Sequence, residues 1–183
     1  MGVTEEGNPI MLHEGKEVFF DRNDLIVSKT DLTGKLIYTN DIFLNIADYQ
    51  EQDVIGKQHN VIRNPNMPRV VFKVLWDAIS AGNEIFAYVV NSAKNGDHYW
   101  VLAHVTPSLV GGQVVGYHST RRVPNPQTIK TVIEPLYDDL RNIEQQCSGK
   151  KEGIEKSEAA LNAILDEKQQ TYDEFVASLM KEG

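Results

Sequence analysis

Two glycine-bearing turn signals, Asn95-Gly96 and Gly111-Gly112, cut residues 85–121 into three segments that each read as a strand. Ile85 to Asn91 is apolar almost throughout. Tyr99 to Thr106 alternates, with Tyr99, Val101, Ala103 and Val105 on one face and His98, Trp100, Leu102 and His104 on the other. Gln113 to Arg121 completes the run. Connections this short join only antiparallel neighbours. Any fold for this chain must therefore contain a three-stranded antiparallel meander, with Asn95-Gly96 expected to form a two-residue hairpin loop.

The residues before the meander supply the rest of an α+β domain. Leu25 to Thr30 and Leu36 to Thr39 read as strands joined by the turn Leu32-Thr33-Gly34-Lys35. Ile42, Phe43, Ile46 and Ala47 fall at helical spacing, so Asp41–Ala47 reads as a short helix. Gly56 to Pro68 has two prolines and little periodicity and reads as an irregular loop. Val71, Phe72, Leu75, Trp76 and Ile79 then form the apolar stripe of a helix over 69–80, with Gly82 as its stop. Beyond the meander, Ile129 to Ile143 recurs every three or four residues, with a kink or new start at Pro135. Ser148-Gly149 ends that stripe, and Ile154 to Lys168 reads as the next helix. Thr171 to Glu174 fits a capping box before a last one.

Charge divides the chain in the same way. The net charge is −8, yet residues 24–123 hold nine acids and nine bases. Residues 1–23 carry five acids and two bases, and residues 134–183 carry twelve and six. The expected organisation is an N-terminal extension (1–23), a neutral, ligand-sized core (24–123) and an acidic helical tail (124–183). An acidic chain is a poor default binder of nucleic acid or anionic membrane. No apolar run reaches the roughly 18–20 residues that span a bilayer, and the acidic N-terminus lacks the apolar core of a signal peptide. A cytoplasmic protein is expected. The single Cys147 leaves no disulfide framework and no cysteine-rich zinc site.

Several short stretches keep their mutual spacing. They are Thr39-Asn40-Asp41-Ile42-Phe43, Gly56-Lys57-Gln58-His59-Asn60 and Arg63-Asn64-Pro65-Asn66-Met67-Pro68. They continue with Phe72, Trp76, residues 94–101 (KNGDHYWV), Gly116-Tyr117 and residues 134–137 (EPLY). Over residues 25–140 the chain resembles the PAS sensor domains of bacterial aerotaxis receptors and the small stand-alone PAS proteins of energy-taxis systems. The resemblance implies a five-stranded antiparallel sheet with helices on one face, non-covalently bound FAD read as a redox indicator, and signalling through a chemoreceptor or another transducer. It implies no nucleic acid partner, and a homodimer is compatible with it. FAD-binding members carry His and Asp where this chain has Asn64 and Asn66, and Trp where it has Phe86.

Physical chemistry assigns roles beside that resemblance. An isoalloxazine ring needs an apolar slot with a few polar groups at its edge. Trp76 can wall a planar ring, or sit in an ordinary core. Asn40 offers both a donor and an acceptor to a ring edge, or caps the helix that follows it. Arg63 suits a diphosphate or a carbonyl, or ties down its loop. His59, Asn60, Asn64, Asn66 and Phe86 complete the candidate cofactor set. Haem is the alternative cofactor, with His59, His98, His104 and His118 as candidate axial ligands. A ligand-free interaction module is a third possibility. Cys147 lies far beyond the sheet in sequence, which argues against cysteinyl-adduct photochemistry. No Gly-x-Ser-x-Gly, P-loop or paired metal-ligand motif is present, and Asp97-His98 point to opposite faces, so an enzyme is not expected.

Overall fold

The computed structural model describes residues 15–181. These divide into two compact units. One contains residues 15–65 and Leu75–Pro124; the other contains residues 66–74 and 125–181.

The first unit is built on five antiparallel strands. They are β1 (Ile26–Thr30), β2 (Leu36–Thr39), β3 (Ile85–Ser92), β4 (His98–Val110) and β5 (Gln113–Arg122), in the order β2-β1-β5-β4-β3. Short helices α1 (Asp41–Ala47) and α2 (Glu51–Val54) and a 3-10 turn (His59–Ile62) follow β2. This is the α+β arrangement expected from the sequence.

The turns account for the register. Gly111 and Gly112 both have positive φ, and Val110 pairs with Gln113, so this is a two-residue loop of the primed type. The other hairpin differs from expectation. Ser92 pairs with His98, the Ala93 amide donates to the Asp97 carbonyl, and only Gly96 has positive φ. The loop is therefore three residues long, Lys94 to Gly96. A primed two-residue turn would require Asn95 to be left-handed as well, and it is not. In β5 the register shifts by one residue opposite Ser108/Leu109. Next to that shift, a Cβ on Gly116 would run into the Thr30 carbonyl oxygen of β1. The bare Cα is what lets these two strands close up. Pro107 sits in β4 where β3 has already ended, a position that tolerates a missing donor.

The second unit is helical. Its chain starts with the first residues of α3 (Arg69–Ser80) and resumes with α4 (Pro126–Thr128), a π-helical turn (Ile129–Ile133), α5 (Glu134–Gln146), α6 (Lys150–Lys168) and α7 (Tyr172–Lys181). The π turn resolves the expected break at Pro135. Proline lacks the amide and crowds the carbonyl four residues back; the widened turn holds Thr131, the residue that would clash, and α5 starts with proline in its first turn. Helix α6 begins earlier than its apolar pattern suggests, because Glu152 joins Ser148 and Lys156 across its first turns. Thr171 and Glu174 exchange backbone amides as a capping box at α7.

Glu144 organises this unit. Helix α3 follows Pro68, which offers no side-chain cap. The Glu144 carboxylate replaces one: it accepts from the Arg69 amide at 3.0 Å and from the Val70 amide at 2.9 Å. Ser157 of α6 donates to the same carboxylate at 3.2 Å. Gly153 permits this approach, since a Cβ there would lie 2.9 Å from the Glu144 carbonyl oxygen. Arg141 ties the same segment through Asn66 Oδ1 at 2.6 Å.

Glu144→Ala leaves two helix-end amides and a buried hydroxyl without an acceptor. It is expected to cost about 1–3 kcal/mol, read as a lower denaturation midpoint by circular dichroism. Gly153→Ala should also destabilise, and an unchanged midpoint in both variants would contradict this account of the helical unit.

Candidate functional site

Strand alternation places Ile26, Ser28 and Thr30 of β1, Tyr99, Val101, Ala103 and Val105 of β4, and Tyr117, Ser119 and Arg121 of β5 on one face of the sheet. Ile85, Ala87, Val89 and Asn91 of β3 join them by register. This face carries the core of the sheet unit, and most of it is apolar. It also holds an unusual number of buried polar groups.

Arg121 is the most demanding of these. It is only 3% exposed. One guanidinium nitrogen donates to Ser28 Oγ at 2.9 Å and to His59 Nε2 at 2.5 Å. The guanidinium lies 5.7 Å from the Phe43 ring centroid, a cation–π arrangement. Its other terminal nitrogen has no protein partner. None of these contacts is a carboxylate. Burial pulls the Arg121 pKa down to about 10, with Tyr99 opposing that shift.

His59 is fixed by this neighbour. Arg121 can only donate, so Nε2 must be the unprotonated nitrogen of a neutral imidazole. Burial, and secondly the charge on Arg121, lower the His59 pKa to about 3. The His59 backbone amide donates to the Gly34 carbonyl at 2.9 Å, which sets the 3-10 turn against the β1–β2 turn.

Four further buried atoms of this sheet unit lack a protein partner: Thr39 Oγ1, Asn91 Nδ2, Tyr99 OH and Ser119 Oγ. Asn91 and Tyr99 are cross-strand neighbours, as are Ser28 and Ser119. Burial raises the Tyr99 pKa well above its ordinary value, so the phenol is a neutral donor. Buried polar groups in native folds are usually satisfied. Here a set of them lies on one face, beside a cation that has no carboxylate partner among the described residues.

The expected site residues are distributed unevenly around this cluster. His59 lies inside it. Trp76 belongs to the same face: its ring meets Tyr117 edge-on at 5.6 Å and packs over Gly34. At 39% exposure it is a wall at the margin, not a buried slab. Asn40 is committed to the backbone. Its Oδ1 accepts from the Phe43 amide at 3.0 Å and the Val27 amide at 2.9 Å, and its Nδ2 donates to the Leu25 carbonyl at 2.7 Å. The helix cap is thus the role the geometry gives it, together with pinning the start of β1. Phe86 stands on the opposite face, stacked on His104 at 4.1 Å, because it is one residue out of register with Ala87, Ala103 and Arg121. Arg63 and Asn60 are exposed, with the Arg63 backbone bridged to Asn91; Asn64 is buried. Asn66 belongs to the helical unit, on Arg141.

Ser28, Asn91, Tyr99, Ser119 and Arg121 were not among the expected site residues. Extending the alternation of Tyr99 to Val105 across the second hairpin puts Arg121 opposite Leu102, on the other face. Only the one-residue register shift opposite Ser108/Leu109 turns it inward beside Ala103.

Comparison with known proteins agrees with the architecture. A family model described as PAS fold matches residues 36–121. The chain carries a PAS domain. Over 115 residues it is 37% identical to the "Aerotaxis receptor" of Escherichia coli (strain K12), covering 63% of this chain but 22% of the receptor. "Phototropin-1A" of Oryza sativa subsp. japonica is 24% identical over 87 residues, 48% of this chain and 9% of that protein. The PAS domain thus accounts for a small part of each curated relative. Among solved structures, a light-oxygen-voltage domain studied with a flavin analogue superposes with a TM-score of 0.54 at 16% identity, covering 63% of this chain and 87% of the other. The light state of the blue-light photoreceptor Aureochrome1 LOV gives 0.53 at 20% identity, covering 62% and 91%. At such identities these two show the fold alone.

No helix among the described residues is long and apolar enough to cross a membrane.

The histidines give the PAS domain a definite response to acid. His59 has a folded pKa of about 3 against 6.5 when unfolded. His98 and His118 shift down too, mainly by burial, with the Asp97 charge opposing at His98 and the positive neighbours Lys29, His104 and Arg121 adding at His118. Between those pKa values the unfolded state binds protons that the folded state does not. Stability is therefore complete above pH 6.5 and falls as pH drops toward 3. From pH 7 to pH 5, His59 alone should remove about 2 kcal/mol. Urea unfolding at the two pH values checks this, and His59→Gln should remove that part of the slope.

Proposed function

We propose that this PAS domain binds a flavin through the His59–Arg121 face of its sheet and reports the redox state of that flavin to a separate transducer. The observation that carries the proposal is the buried cluster itself: Arg121, Asn91, Tyr99 and Ser119 bear unpartnered atoms of the type that a ring rich in carbonyl and imine acceptors would satisfy. The 37% identity to the aerotaxis receptor supports the same choice.

The residues fit such a group. Tyr99 and Asn91 have hydrogen atoms to give, and Arg121 adds a positive charge. Trp76 and Tyr117 would close the margin by aromatic contact, while Arg63, Asn60 and Asn64 lie on the loop available to the ribityl and phosphate portion. A bound flavin supplies a ring whose charge and protonation depend on its redox state. His59 cannot provide a proton near neutrality, because it is held neutral with Nε2 accepting. A change of ring charge would be felt first at the Ser28–Arg121–His59 contacts and then along β1 and β5.

The family model matches residues 36–121, and the acidic helices α5 to α7 beyond it are the proposed transducer-facing part. A chemoreceptor is the proposed partner class and the cytoplasm the proposed compartment. No catalytic role is proposed.

The visible spectrum of the purified chain, after incubation with FAD, tests this directly. Two flavin bands that bleach with dithionite are expected. A Soret band would instead assign haem, and a colourless protein after reconstitution would remove the cofactor from the proposal. Tyr99→Phe combined with Asn91→Ala should weaken flavin retention at least tenfold while leaving the circular dichroism spectrum intact.

A further inference from the structure

The structure assigns Arg121 a more specific task than retention. On the flavin reading just given, we propose that Arg121 is the charge-sensing residue of the pocket: it prefers the reduced, negatively charged ring to the oxidised, neutral one, and so sets the reduction potential of the bound cofactor.

The argument starts from what surrounds the guanidinium. Its protein partners are a serine hydroxyl, a neutral imidazole and the face of Phe43. The Tyr99 phenol, which acts electrostatically on Arg121, stays protonated. Among the described residues no carboxylate is paired with Arg121. A buried cation held only by neutral dipoles gains more than any other group when an anion arrives, since the low-dielectric surroundings strengthen the attraction and the desolvation cost is already met in the fold. One terminal nitrogen, unpartnered in the protein, has its hydrogens free for that anion.

The charge balance follows. With dithionite as reductant, two electrons and one solvent proton reach the ring, dithionite is oxidised to sulfite, and one negative charge stays on the ring. A second proton would cancel that charge. Arg121 disfavours the second proton, and His59, already accepting from Arg121, does not supply it. Binding preference for the reduced form and the reduction potential are one quantity seen from two sides: each tenfold of preference raises the potential by about 30 mV for two electrons.

The test uses the full chain with riboflavin and FAD, each oxidised and dithionite-reduced. Arg121→Gln should weaken the reduced forms at least tenfold more than the oxidised forms, for riboflavin and FAD alike, and lower the midpoint potential by about 30 mV or more. Arg121→Lys, which keeps the charge, should retain most of the preference. A loss confined to FAD would place Arg121 on the diphosphate and overturn the proposal. So would an equal loss for oxidised and reduced forms.

A measurement on the unmodified chain guards against a variant that fails to fold. Below neutrality, the midpoint should change by about 30 mV per pH unit, one proton per two electrons, to a lower pH than for free riboflavin titrated alongside. A slope of about 59 mV per pH unit over the same range as free riboflavin would contradict it. If the unmodified chain binds no flavin at all, the cofactor reading fails and takes this inference with it; if flavin binds but shows neither preference nor altered slope, only the role of Arg121 fails.

Discussion

A buried arginine with no acid beside it among the described residues is the constraint around which the sheet unit is arranged. Arg121 sits at the centre of the sheet, on β5, between β1 and β4. Its position requires Ser28 opposite on β1, a neutral His59 on the turn after α2, and an aromatic face from Phe43 on α1. Each of those residues is delivered by a local device. The Asn40 side chain starts α1 and pins β1 with the same three hydrogen bonds, which fixes Phe43 and Ser28 relative to each other. The His59 amide is tied to Gly34. Gly116 lets β5 lie close to β1. A charge this deep is expensive to bury alone, so its retention argues for a use that a hydrophobic replacement could not serve.

A second buried charge governs the helical unit by the opposite logic. Glu144 is fully engaged: two amides at the start of α3 and the Ser157 hydroxyl take both of its oxygens. Where Arg121 has a nitrogen to spare, Glu144 has nothing. Glu144 is placed as a structural clamp, while Arg121 keeps a donor that the proposal gives to a ligand. This distinction rests on counting partners, and it is the reason that equally buried ionic groups receive different roles.

Much of the fold was legible in the residues. The alternation of Tyr99 to Val105 and the glycine pair at 111–112 fixed the meander, and the stripe from Val71 to Ile79 fixed the long helix. The three-residue loop at Lys94–Gly96 was not, because Asn-Gly serves both a two-residue primed loop and a three-residue loop, which differ in length and in the φ of the asparagine. The π turn before Pro135 was legible as a disturbance, not as its solution. The site was less legible than the fold. Trp76 and His59 stand out by type alone and lie on the face that carries Arg121. Asn40 and Phe86 stand out equally; Asn40 caps α1 and Phe86 lies on the far face. Arg121 was invisible, since an arginine near the end of a strand ordinarily marks solvent. Only the pairing of β5 with β1 and β4 shows that it points inward. The same step of register that buries Arg121 puts the half-buried Phe86 on the other face.

The central claim is that the spare nitrogen of Arg121 faces the site of the cofactor. Side-chain NMR of the arginine-labelled chain addresses it most directly, with the Arg121 guanidinium resonance assigned by its loss in Arg121→Lys. Addition of FAD should shift that resonance and slow exchange of its protons with solvent, and reduction by dithionite should shift it again. A guanidinium resonance that stays unmoved through both steps, while flavin is demonstrably bound, would contradict the account.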